Sequence, residues 1–419
     1  MNIGFVSTRF AGTDGVSLES AKWAHVLQGM GHECFYFAGE CNRPAERSYV
    51  VPEAHFQHPE ILDITRDLFD DYQRSSETSG RVHSLRRMLK EHLYRFLKRF
   101  DIHILIAENA LSIPMNIPLG LALTEVITET SIPTIAHHHD FAWERSRFKV
   151  SAAGDYQYGA FPPMVPSIQH VVINSYAARH LALRTGLSSI IVPNVMDFDT
   201  PPPAPDAFSH TMRTQLGIPP KHAIILQPTR VVPRKHIESA IELVRRLDIP
   251  ATLLISHHSG DEGEAYRAYL QELADLLGVN VLFAGEHFEE HRRTLPNGEK
   301  RYSLEDAYLE CDLVTYPSRV EGFGNAFLEA VYYKRPIVIS TYDIFRTDIL
   351  PKGFRVIGFN DFITPEAVDA ARRALHDPAW VAEMTEHNFK LGKHFYSYRR
   401  LERSLHYLLS DMQAASLPT

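Results

Sequence analysis

Two glutamates that flank a glycine-containing loop are the residues of this chain best suited to hold a hydroxyl-rich ligand. They lie in the segment Tyr316–Glu329, where an apolar run is followed by a loop and then by a helical pattern. Gly322 and Gly324 let a ligand approach the backbone closely, and the free N–H groups of a helix start attract anions. Glu321 in the loop and Glu329, about two turns into the helix, can reach sugar and ribose hydroxyls respectively. The alternative is an exposed loop followed by a helix-surface glutamate.

A run of three histidines before an aspartate marks a second candidate site. His137, His138 and His139 precede Asp140 at the end of a predicted strand. Alternate residues of a strand share a face, so we expect His137 and His139 to point together and His138 to point away. His137 and His139 could ligate a metal ion, but no further cluster of ligand residues is visible around them.

Aromatic and cationic residues follow directly, in the segment Trp143–Arg147. The forked donors of Arg145 and Arg147 suit a carboxylate or phosphate on an acceptor molecule. The alternative is an ordinary surface helix.

A third candidate is the loop between the first predicted strand and the first predicted helix, which contains Gly12 and Gly15. A sugar acceptor or a phosphate could meet helix N–H groups there. The loop is not G-x-G-x-x-G, so a dinucleotide cofactor is not indicated. A plain turn is the alternative.

The elements that must position these residues alternate between strand and helix in both halves of the chain. The apolar runs are continuous, as expected for parallel strands that are covered on both faces. This alternation predicts doubly wound α/β domains. The predicted strands are Ile3–Ser7, Cys34–Ala38, Ile102–Ala107, Pro133–Ala136, Val171–Asn174, Ile190–Pro193, Ala223–Gln227, Thr252–Ser256, Val279–Ala284, Leu313–Tyr316 and Pro336–Ser340. The predicted helices are Val16–Met30, Val82–Phe100, Ile117–Thr130, Tyr176–Thr185, Ile237–Leu247, Glu264–Leu277, Ser303–Glu310 and Phe323–Tyr333.

The length of 419 residues indicates two domains rather than one core. A proline-rich stretch at 201–208 interrupts the alternation and predicts a linker, because proline stiffens the chain and removes backbone donors. We therefore expect an N-terminal domain at 1–200 and a C-terminal domain at 209–395. A last helix at 396–419 is expected to pack back toward the N-terminal domain.

The composition argues against several classes of protein. Lysine and arginine total 43 against 51 for aspartate and glutamate, a net charge of −8, whereas nucleic-acid binders are usually basic. The three cysteines include no C-x-x-C pair, which fits a reducing cytosol. No apolar run is long enough for a membrane span, and the start of the chain lacks signal-peptide features. A cytoplasmic location is expected.

The predicted helix within 81–100 is both amphipathic and basic. Such a helix could lie on an anionic membrane, or it could pack into the core with a solvated basic face. Its apolar positions are Val82, Leu85, Leu89, Leu93 and Phe96, and its cations are Arg86, Arg87, Lys90, Arg95, Lys98 and Arg99.

Taken together, these segments resemble the retaining glycosyltransferases of family 4, which have the GT-B fold. Glu321 and Glu329, with seven residues between them, match the E-x7-E motif of that family. The segment Gln227–Lys235 is similar to its "GR…KG" segment, with His236 where glycine is usual. The resemblance extends over most of the chain.

A further similar segment is Val192–Asp197, which corresponds to the family's "PNGVD" with Val195 in place of the glycine. The nearby Asp197-Phe198-Asp199 spells the D-x-D by which GT-A transferases hold a metal. It lies beside the proline-rich stretch rather than after a donor-site strand, so we interpret it as a turn.

The resemblance implies two Rossmann-like domains whose parallel sheets face each other across a cleft. It implies that the N-terminal domain at 1–200 binds the acceptor and that the C-terminal domain at 209–395 binds the nucleotide sugar. It implies transfer of a hexose from a UDP- or GDP-sugar to a hydroxyl with retention of configuration, without a cofactor or a metal. Catalytic roles fall to Glu321, His138, His139 and Asp140. Donor-binding roles fall to Gly12, Gly15, Arg230, Lys235, Gly322, Phe323, Gly324, Asn325 and Glu329, with Arg234 as a competing cation.

The acceptor is expected to be a small soluble molecule, acidic or rich in hydroxyls, such as a glycerate-like compound, a sugar phosphate or a simple sugar. The net charge and the polar segment with Arg145 and Arg147 favour it. One alternative is a membrane-associated transferase that acts on a lipid-linked acceptor. Another is a non-catalytic protein that only binds sugar nucleotides.

Overall fold

Parallel strands joined by helices make up both halves of the computed structural model, which describes residues 1–12, 14–258 and 264–415. The chain divides into two units at Val195 and again at Ser397. Unit 1 contains the residues before the first division and the last helix, and unit 2 contains Met196–Ser397. The proline-rich stretch, predicted to be a linker, belongs to unit 2. There Asp206 pairs with Arg292, their atoms Oδ2 and Nη1 being 2.7 Å apart.

The predicted elements occur in the predicted order, and further helices and short strands lie between and after them. Unit 1 contains β1 (Asn2–Val6), β2 (Arg9–Phe10), α1 (Gly15–Gly29), β3 (Glu33–Ala38), β4 (Glu40–Cys41), β5 (Ser48–Val50), α2 (Pro59–Phe69), α3 (Ser76–Arg99), β6 (Ile104–Glu108), α4 (Ile117–Thr130), β7 (Thr134–His138), α5 (Gly154–Ala160), β8 (Ile168–Val172), α6 (Ser175–Thr185) and β9 (Ile190–Ile191). Unit 2 contains α7 (Met212–Gln215), β10 (Ala223–Gln227), α8 (Ile237–Leu247), β11 (Ala251–Ile255), α9 (Glu264–Leu277), β12 (Asn280–Phe283), β13 (Arg293–Thr294), β14 (Lys300–Arg301), α10 (Leu304–Glu310), β15 (Leu313–Tyr316), α11 (Asn325–Tyr332), β16 (Ile337–Ser340), β17 (Ile357–Phe359), α12 (Pro365–His376) and α13 (Pro378–Tyr396). The last helix is α14 (Tyr398–Ala415).

The main sheets of the two units have the same topology. Unit 1 has a seven-stranded parallel sheet in the order β5-β3-β1-β6-β7-β8-β9, and unit 2 has a six-stranded parallel sheet in the order β12-β11-β10-β15-β16-β17. In both, the order reverses between the first strand and the fourth, as in doubly wound sheets. Ligands of such sheets bind beyond the carboxyl ends of the strands at this switch point.

Helix α14 belongs to unit 1 because its leucines join the core of that unit. Leu401, Leu405 and Leu408 are buried in one cluster with Trp23 and Leu27 of α1. Each buried leucine side chain contributes about 2 kcal/mol relative to an exposed one, so the helix is firmly anchored there.

Helix α3 packs into the core of unit 1, and this decides between the two interpretations of its sequence. Its apolar positions, including Val82, Leu89 and Phe96, are all buried. On its basic face, Arg86 pairs with Glu125 of α4, and the Lys90 ammonium lies 3.0 Å from the same carboxylate. The apolar face that membrane binding would require is therefore covered by the protein core. Within the described ranges, no helix is both long enough and apolar enough to cross a membrane.

Candidate active site

In unit 2, the carboxyl ends of β10 and β15 meet at the switch point. Gln227, the last residue of β10, is buried and accepts a hydrogen bond from Thr315 of β15 (Oγ1 to Oε1, 2.7 Å). Its amide nitrogen donates to Thr229 at 2.8 Å. The loops that follow the two strands are thus fixed relative to each other, and these loops carry the predicted donor-binding residues.

Lys235 and Glu321 form an ion pair at this point, with Nζ donating to Oε1. Arg234 lies on the other carboxylate oxygen, Nη1 to Oε2 3.4 Å. Burial lowers the pKa of the Lys235 ammonium, and the charge of Glu321 partly offsets that effect. Burial would raise the pKa of Glu321, but the two cations hold it below its ordinary value. The site therefore contains one carboxylate and two cations, the charge needed to receive an anion.

His257 is a residue of this site that no sequence motif indicated. It follows the end of β11, and its pKa is lowered to about 4 by burial and by the charges of Lys235 and Arg230. Its Nδ1 lies 3.0 Å from the hydroxyl of Ser256. The imidazole is therefore neutral near pH 7 and adds a hydrogen-bonding group without charge. The side chain of Arg230 is exposed.

The glycine-containing loop ends at Gly324, whose φ of +106° explains where the next helix starts. A side chain there would collide with the hydroxyl oxygen of Tyr342, which donates to the carbonyl of Phe323 at 2.6 Å. Helix α11 accordingly begins at Asn325, two residues later than predicted. Gly322 in the same loop is exposed.

Two predicted donor-binding side chains have partners within unit 2. The Phe323 ring is buried edge-on to Tyr396, with centroids 5.2 Å apart, so only its backbone could face a ligand. Glu329 on α11 accepts a hydrogen bond of 2.8 Å from the hydroxyl of Tyr308. This bond fixes the carboxylate in one orientation, as recognition of a diol requires.

In unit 1, the strand ends at the switch point carry a buried carboxylate between two histidines. Glu108 ends β6 and is paired in register with His137 of β7. One of its oxygens, Oε2, lies 3.0 Å from Nδ1 of His137 and 3.1 Å from Nε2 of His139. The predicted shared orientation of His137 and His139 is confirmed. Although burial opposes it, the two imidazoles lower the pKa of Glu108 to about 2.

The structure separates His138 from the other two histidines. His138 is fully buried, its Nε2 lies 2.9 Å from Nδ1 of His170, and its ring contacts Phe141. Burial and the neighbouring histidines lower its pKa well below the ordinary value. His138 thus lies among core residues, and of the two histidines predicted to be catalytic only His139 adjoins Glu108.

Asp140 lies just beyond the end of β7 and accepts hydrogen bonds from two neighbouring side chains. Its Oδ1 accepts from the side-chain amide of Asn109 at 2.7 Å, and its Oδ2 accepts from Nε of Arg145. The structure therefore brings together Asp140, which was predicted to be catalytic, and Arg145, which was predicted to bind the acceptor. Arg147 lies with its guanidinium 4.6 Å from the ring centroid of Phe148.

The loop before α1 contains a carboxylate where an anion-binding site was predicted. Asp14 caps α1 and accepts from the backbone N–H groups of Val16 and Ser17, both at 3.1 Å. These two groups are thus already satisfied, which corrects the expectation that they meet a phosphate. Gly12, with φ of +77° and open space around it, and Gly15 remain accessible.

Residue types that bind metals come together at one place in the described ranges, the Glu108, His137 and His139 cluster. There both imidazoles hydrogen-bond to the same oxygen, so a cation would have to replace both bonds. The D-x-D sequence forms a turn, as interpreted, in which Oδ1 of Asp197 accepts from the N–H groups of Asp199 and Thr200.

Comparison with known proteins places these sites in context. The family description "Glycosyl transferases group 1" matches residues 208–390. A mannosylglucosylglycerate synthase of Thermotoga maritima is 33% identical, the match covering 96% of this chain and 98% of that protein. A mannosylglucosylglycerate synthase of Petrotoga mobilis is 29% identical, with 96% and 100% covered.

Solved structures with the same fold are more distant in sequence. A glycosyltransferase from Rickettsia africae superimposes with a TM-score of 0.69 at 12% identity, covering 98% of both chains. A sucrose-phosphate synthase from Thermosynechococcus elongatus gives 0.67 at 15% identity, covering 99% of this chain and 100% of that one. The two parallel α/β units of this chain are those of a GT-B fold.

Proposed function

The chain belongs to the group 1 glycosyltransferases of the GT4 type and is a hexosyltransferase, and from this premise we propose that it transfers a mannosyl group from a nucleotide-mannose to a small acidic acceptor of the glucosylglycerate type. The observation that carries the proposal is the 33% identity, over nearly all of both chains, to a mannosylglucosylglycerate synthase. The product named there is a mannosyl group attached to glucosylglycerate. That acceptor is a small carboxylate, the class that the arginines of unit 1 suit.

The donor is held in unit 2, at the strand ends of β10 and β15. Arg230 and Lys235 bind its diphosphate, because cations fixed in a partly buried site stabilise the charge of a leaving nucleoside diphosphate. Glu321 and the backbone of the loop that ends at Gly324 hold the sugar. Glu329, oriented by Tyr308, accepts hydrogen bonds from the ribose hydroxyls.

The acceptor is held in unit 1, where Arg145 meets its carboxylate. Nε of Arg145 is bonded to Asp140, which fixes the plane of the guanidinium. Neither of its terminal nitrogens has a hydrogen-bond partner in the described part of the chain. A bidentate contact to a glycerate carboxylate would use this pair of donors. Arg147 provides a second cation nearby in the sequence.

The reaction retains the anomeric configuration and needs no metal. The acceptor hydroxyl oxygen bonds to the anomeric carbon while the bond from that carbon to the diphosphate oxygen breaks. The proton of the hydroxyl passes to the departing phosphate. Protein cations replace the divalent ion that stabilises the leaving group in metal-dependent transferases.

We place the reaction in the cytoplasm. Cys34, Cys41 and Cys311 are all unpaired, and two of them are buried thiols. Unpaired thiols are the usual state in a reducing compartment.

A two-step screen tests this function. Thermal-shift measurements with UDP-, GDP- and ADP-sugars identify the donor, and the best donor is then offered glucosylglycerate, glycerate, glucose and a lipid-linked sugar. We expect a nucleotide-mannose to stabilise the protein and glucosylglycerate to be mannosylated. Transfer to the lipid-linked sugar alone would support the membrane alternative, and donor binding without any transfer would indicate a sugar-nucleotide-binding protein.

A further inference from the structure

We infer that Glu108 and Asn109 are positioning residues that hold His139 as a hydrogen-bond donor to the sugar undergoing transfer. The inference rests on the proposed sugar transfer and adds two residues that the sequence did not indicate. Both follow from one structural fact, that the end of β6 lies beside the end of β7.

Glu108 fixes the side chain of His139. Its carboxylate is fully buried, and Oε2 accepts from His139 at 3.1 Å. The same oxygen accepts from His137, whose ring stacks on Trp23 with centroids 4.2 Å apart. His137 is buried and immobilised between the indole and the carboxylate, so it braces Glu108 rather than contacting a ligand.

Asn109 fixes the backbone of the same residue. It has a left-handed conformation with φ of +57°, and its Oδ1 accepts from the backbone N–H of His139 at 2.9 Å. Its Nδ2 donates to Asp140 at 2.7 Å. The last residue of β6 and the residue that follows it therefore hold the ring and the backbone of His139 and the side chain of Asp140.

The other ring nitrogen of His139, Nδ1, has no hydrogen-bond partner among residues 1–12, 14–258 and 264–415. In the neutral ring, the proton lies on Nε2 toward Glu108, and Nδ1 can only accept. In the protonated ring both nitrogens donate, and Nδ1 then donates outward to a ligand oxygen. The protonation state of His139 therefore decides what it offers to a sugar hydroxyl.

The surroundings favour the protonated ring. Burial alone would lower the pKa of His139, but Glu108 from β6, Glu19 from α1 and the adjacent Asp140 raise it above the ordinary value. The other histidine that contacts Glu108 is His137 on β7. Burial lowers the pKa of His137, which favours its neutral form. The acidic neighbours thus shift His139 toward its protonated form, whereas burial shifts His137 toward its neutral form.

The first test is the pH dependence of kcat in the Glu108→Gln variant of the full chain. In the natural protein, kcat should be high below the pKa of His139 and fall as the pH rises through it. Removing the carboxylate lowers that pKa, so the falling limb should move to lower pH by roughly one unit. At pH 7 kcat should drop by up to about tenfold, the change in protonated fraction for one pKa unit, with little change in the KM of the donor.

The matched control is Glu125→Gln, which removes a half-buried carboxylate of the same unit that pairs with Arg86. It should retain the natural pH profile. An unchanged profile in a folded Glu108→Gln variant would overturn the inference, as would an equal loss in both variants. Stoichiometric metal in the purified natural protein would overturn it as well, because an ion would replace both hydrogen bonds.

A second measurement needs neither the variant nor the transferase activity. NMR of histidine-labelled natural protein, with the His139 signal assigned from a His139→Asn variant, gives its pKa directly. A value above about 6.5, that of an unperturbed histidine, supports the inference even if no sugar transfer is found. A value below it refutes the inference whether or not the protein is a transferase.

Discussion

The proposed donor site contains two groups that would compete for Lys235, because its ammonium is paired with Glu321 and would also be needed by a diphosphate. Both groups are about nine-tenths buried, with 10% and 9% of their side chains exposed. In such surroundings charge interactions are much stronger than in water. A bound diphosphate must therefore share or displace the carboxylate, which couples donor binding to the position of Glu321.

Because of this competition, we expect Glu321→Gln to have opposite effects on nucleoside diphosphate affinity and on turnover. Nucleoside diphosphate should bind at least as tightly as to the natural protein, because Lys235 and Arg234 lose their counter-charge. Turnover should fall about tenfold or more, since a contact that strengthens in the transition state is lost. Calorimetric titration and initial rates measure the two effects, with Glu386→Gln on the surface of unit 2 as the control. Natural kcat in Glu321→Gln would show that this residue has no catalytic role.

Glu329→Gln should behave differently and raise the KM of the donor with a smaller effect on kcat. Its carboxylate is fixed by Tyr308, so the loss is one of ground-state binding to the donor. Steady-state kinetics at varied donor concentration separate the two variants. Identical kinetic defects in Glu321→Gln and Glu329→Gln would contradict the division of roles.

Lys235→Ala should reduce kcat/KM about tenfold to a thousandfold, the range for losing one preorganised group that stabilises developing charge. Arg230→Ala should do the same. Lys221→Ala is the control, because Lys221 is exposed on the same unit. Initial-rate kinetics measure the effect, and natural kcat/KM in both site variants would refute the assignment of the diphosphate site.

The sequence revealed those site residues that lie close together along the chain. Glu321, Gly324 and Glu329 lie within one short segment, so a motif describes them. Glu108 and His257 do not, because they reach their partners only when particular strands become neighbours in the sheet. A lone glutamate at the end of an apolar run gives no signal of the two histidines that it will contact.

Among the elements, the turn from loop to helix at Gly324 is the one most sensitive to substitution. Gly324→Ala should lower the free energy of unfolding by about 2 to 4 kcal/mol, from the positive φ and from the collision with Tyr342. The control Gly298→Ala also has a positive φ, of +85°, but open space around it, and should cost about 1 to 2 kcal/mol. Denaturant unfolding measures both. Equal losses in the two variants would contradict the tight packing seen at Gly324.

Helix α3 should not attach the protein to membranes. Co-sedimentation with phosphatidylserine vesicles at about 0.15 M salt, where charges are screened beyond about 8 Å, should leave the natural protein in solution. The Glu125→Lys, Glu129→Lys double variant is the positive control, because it removes the acidic partners of Arg86 and Lys90. Strong binding by the natural protein, lost in the Arg86→Glu, Lys90→Glu variant, would favour a lipid-linked acceptor.

Element boundaries were predictable where the apolar pattern was long and its ends were marked. Helix α4 spans Ile117–Thr130 as predicted, since Asn116 caps its start and accepts from the N–H of Leu119 at 3.0 Å. Helix α2, Pro59–Phe69, was missed although Ile61, Ile64 and Leu68 have helical spacing and are buried. Strand β17 was missed because Ile357–Phe359 is too short to give a periodic signal.

For the molecule as a whole, the proposed reaction is divided between two units of similar topology. Each presents charged side chains at the switch point of its own sheet, Glu108 with His139 in unit 1 and Lys235 with Glu321 in unit 2. The repeated alternation in the sequence predicted both sheets. The predicted domain ends at 200 and 395 lie close to the observed divisions at Val195 and Ser397, whereas the linker predicted at 201–208 lies within unit 2.

The central claim is most directly tested by following one reaction by NMR in the presence of EDTA. The chain is mixed with a nucleotide-mannose and glucosylglycerate, and the nucleoside diphosphate, the free sugar and the glycosylated product are measured together. We predict equal amounts of nucleoside diphosphate and mannosylated product. The product should keep the anomeric configuration of the donor, and the chelator should leave the rate unchanged. Product of inverted configuration, a rate abolished by EDTA and restored by one metal, or release of free sugar without transfer would contradict it.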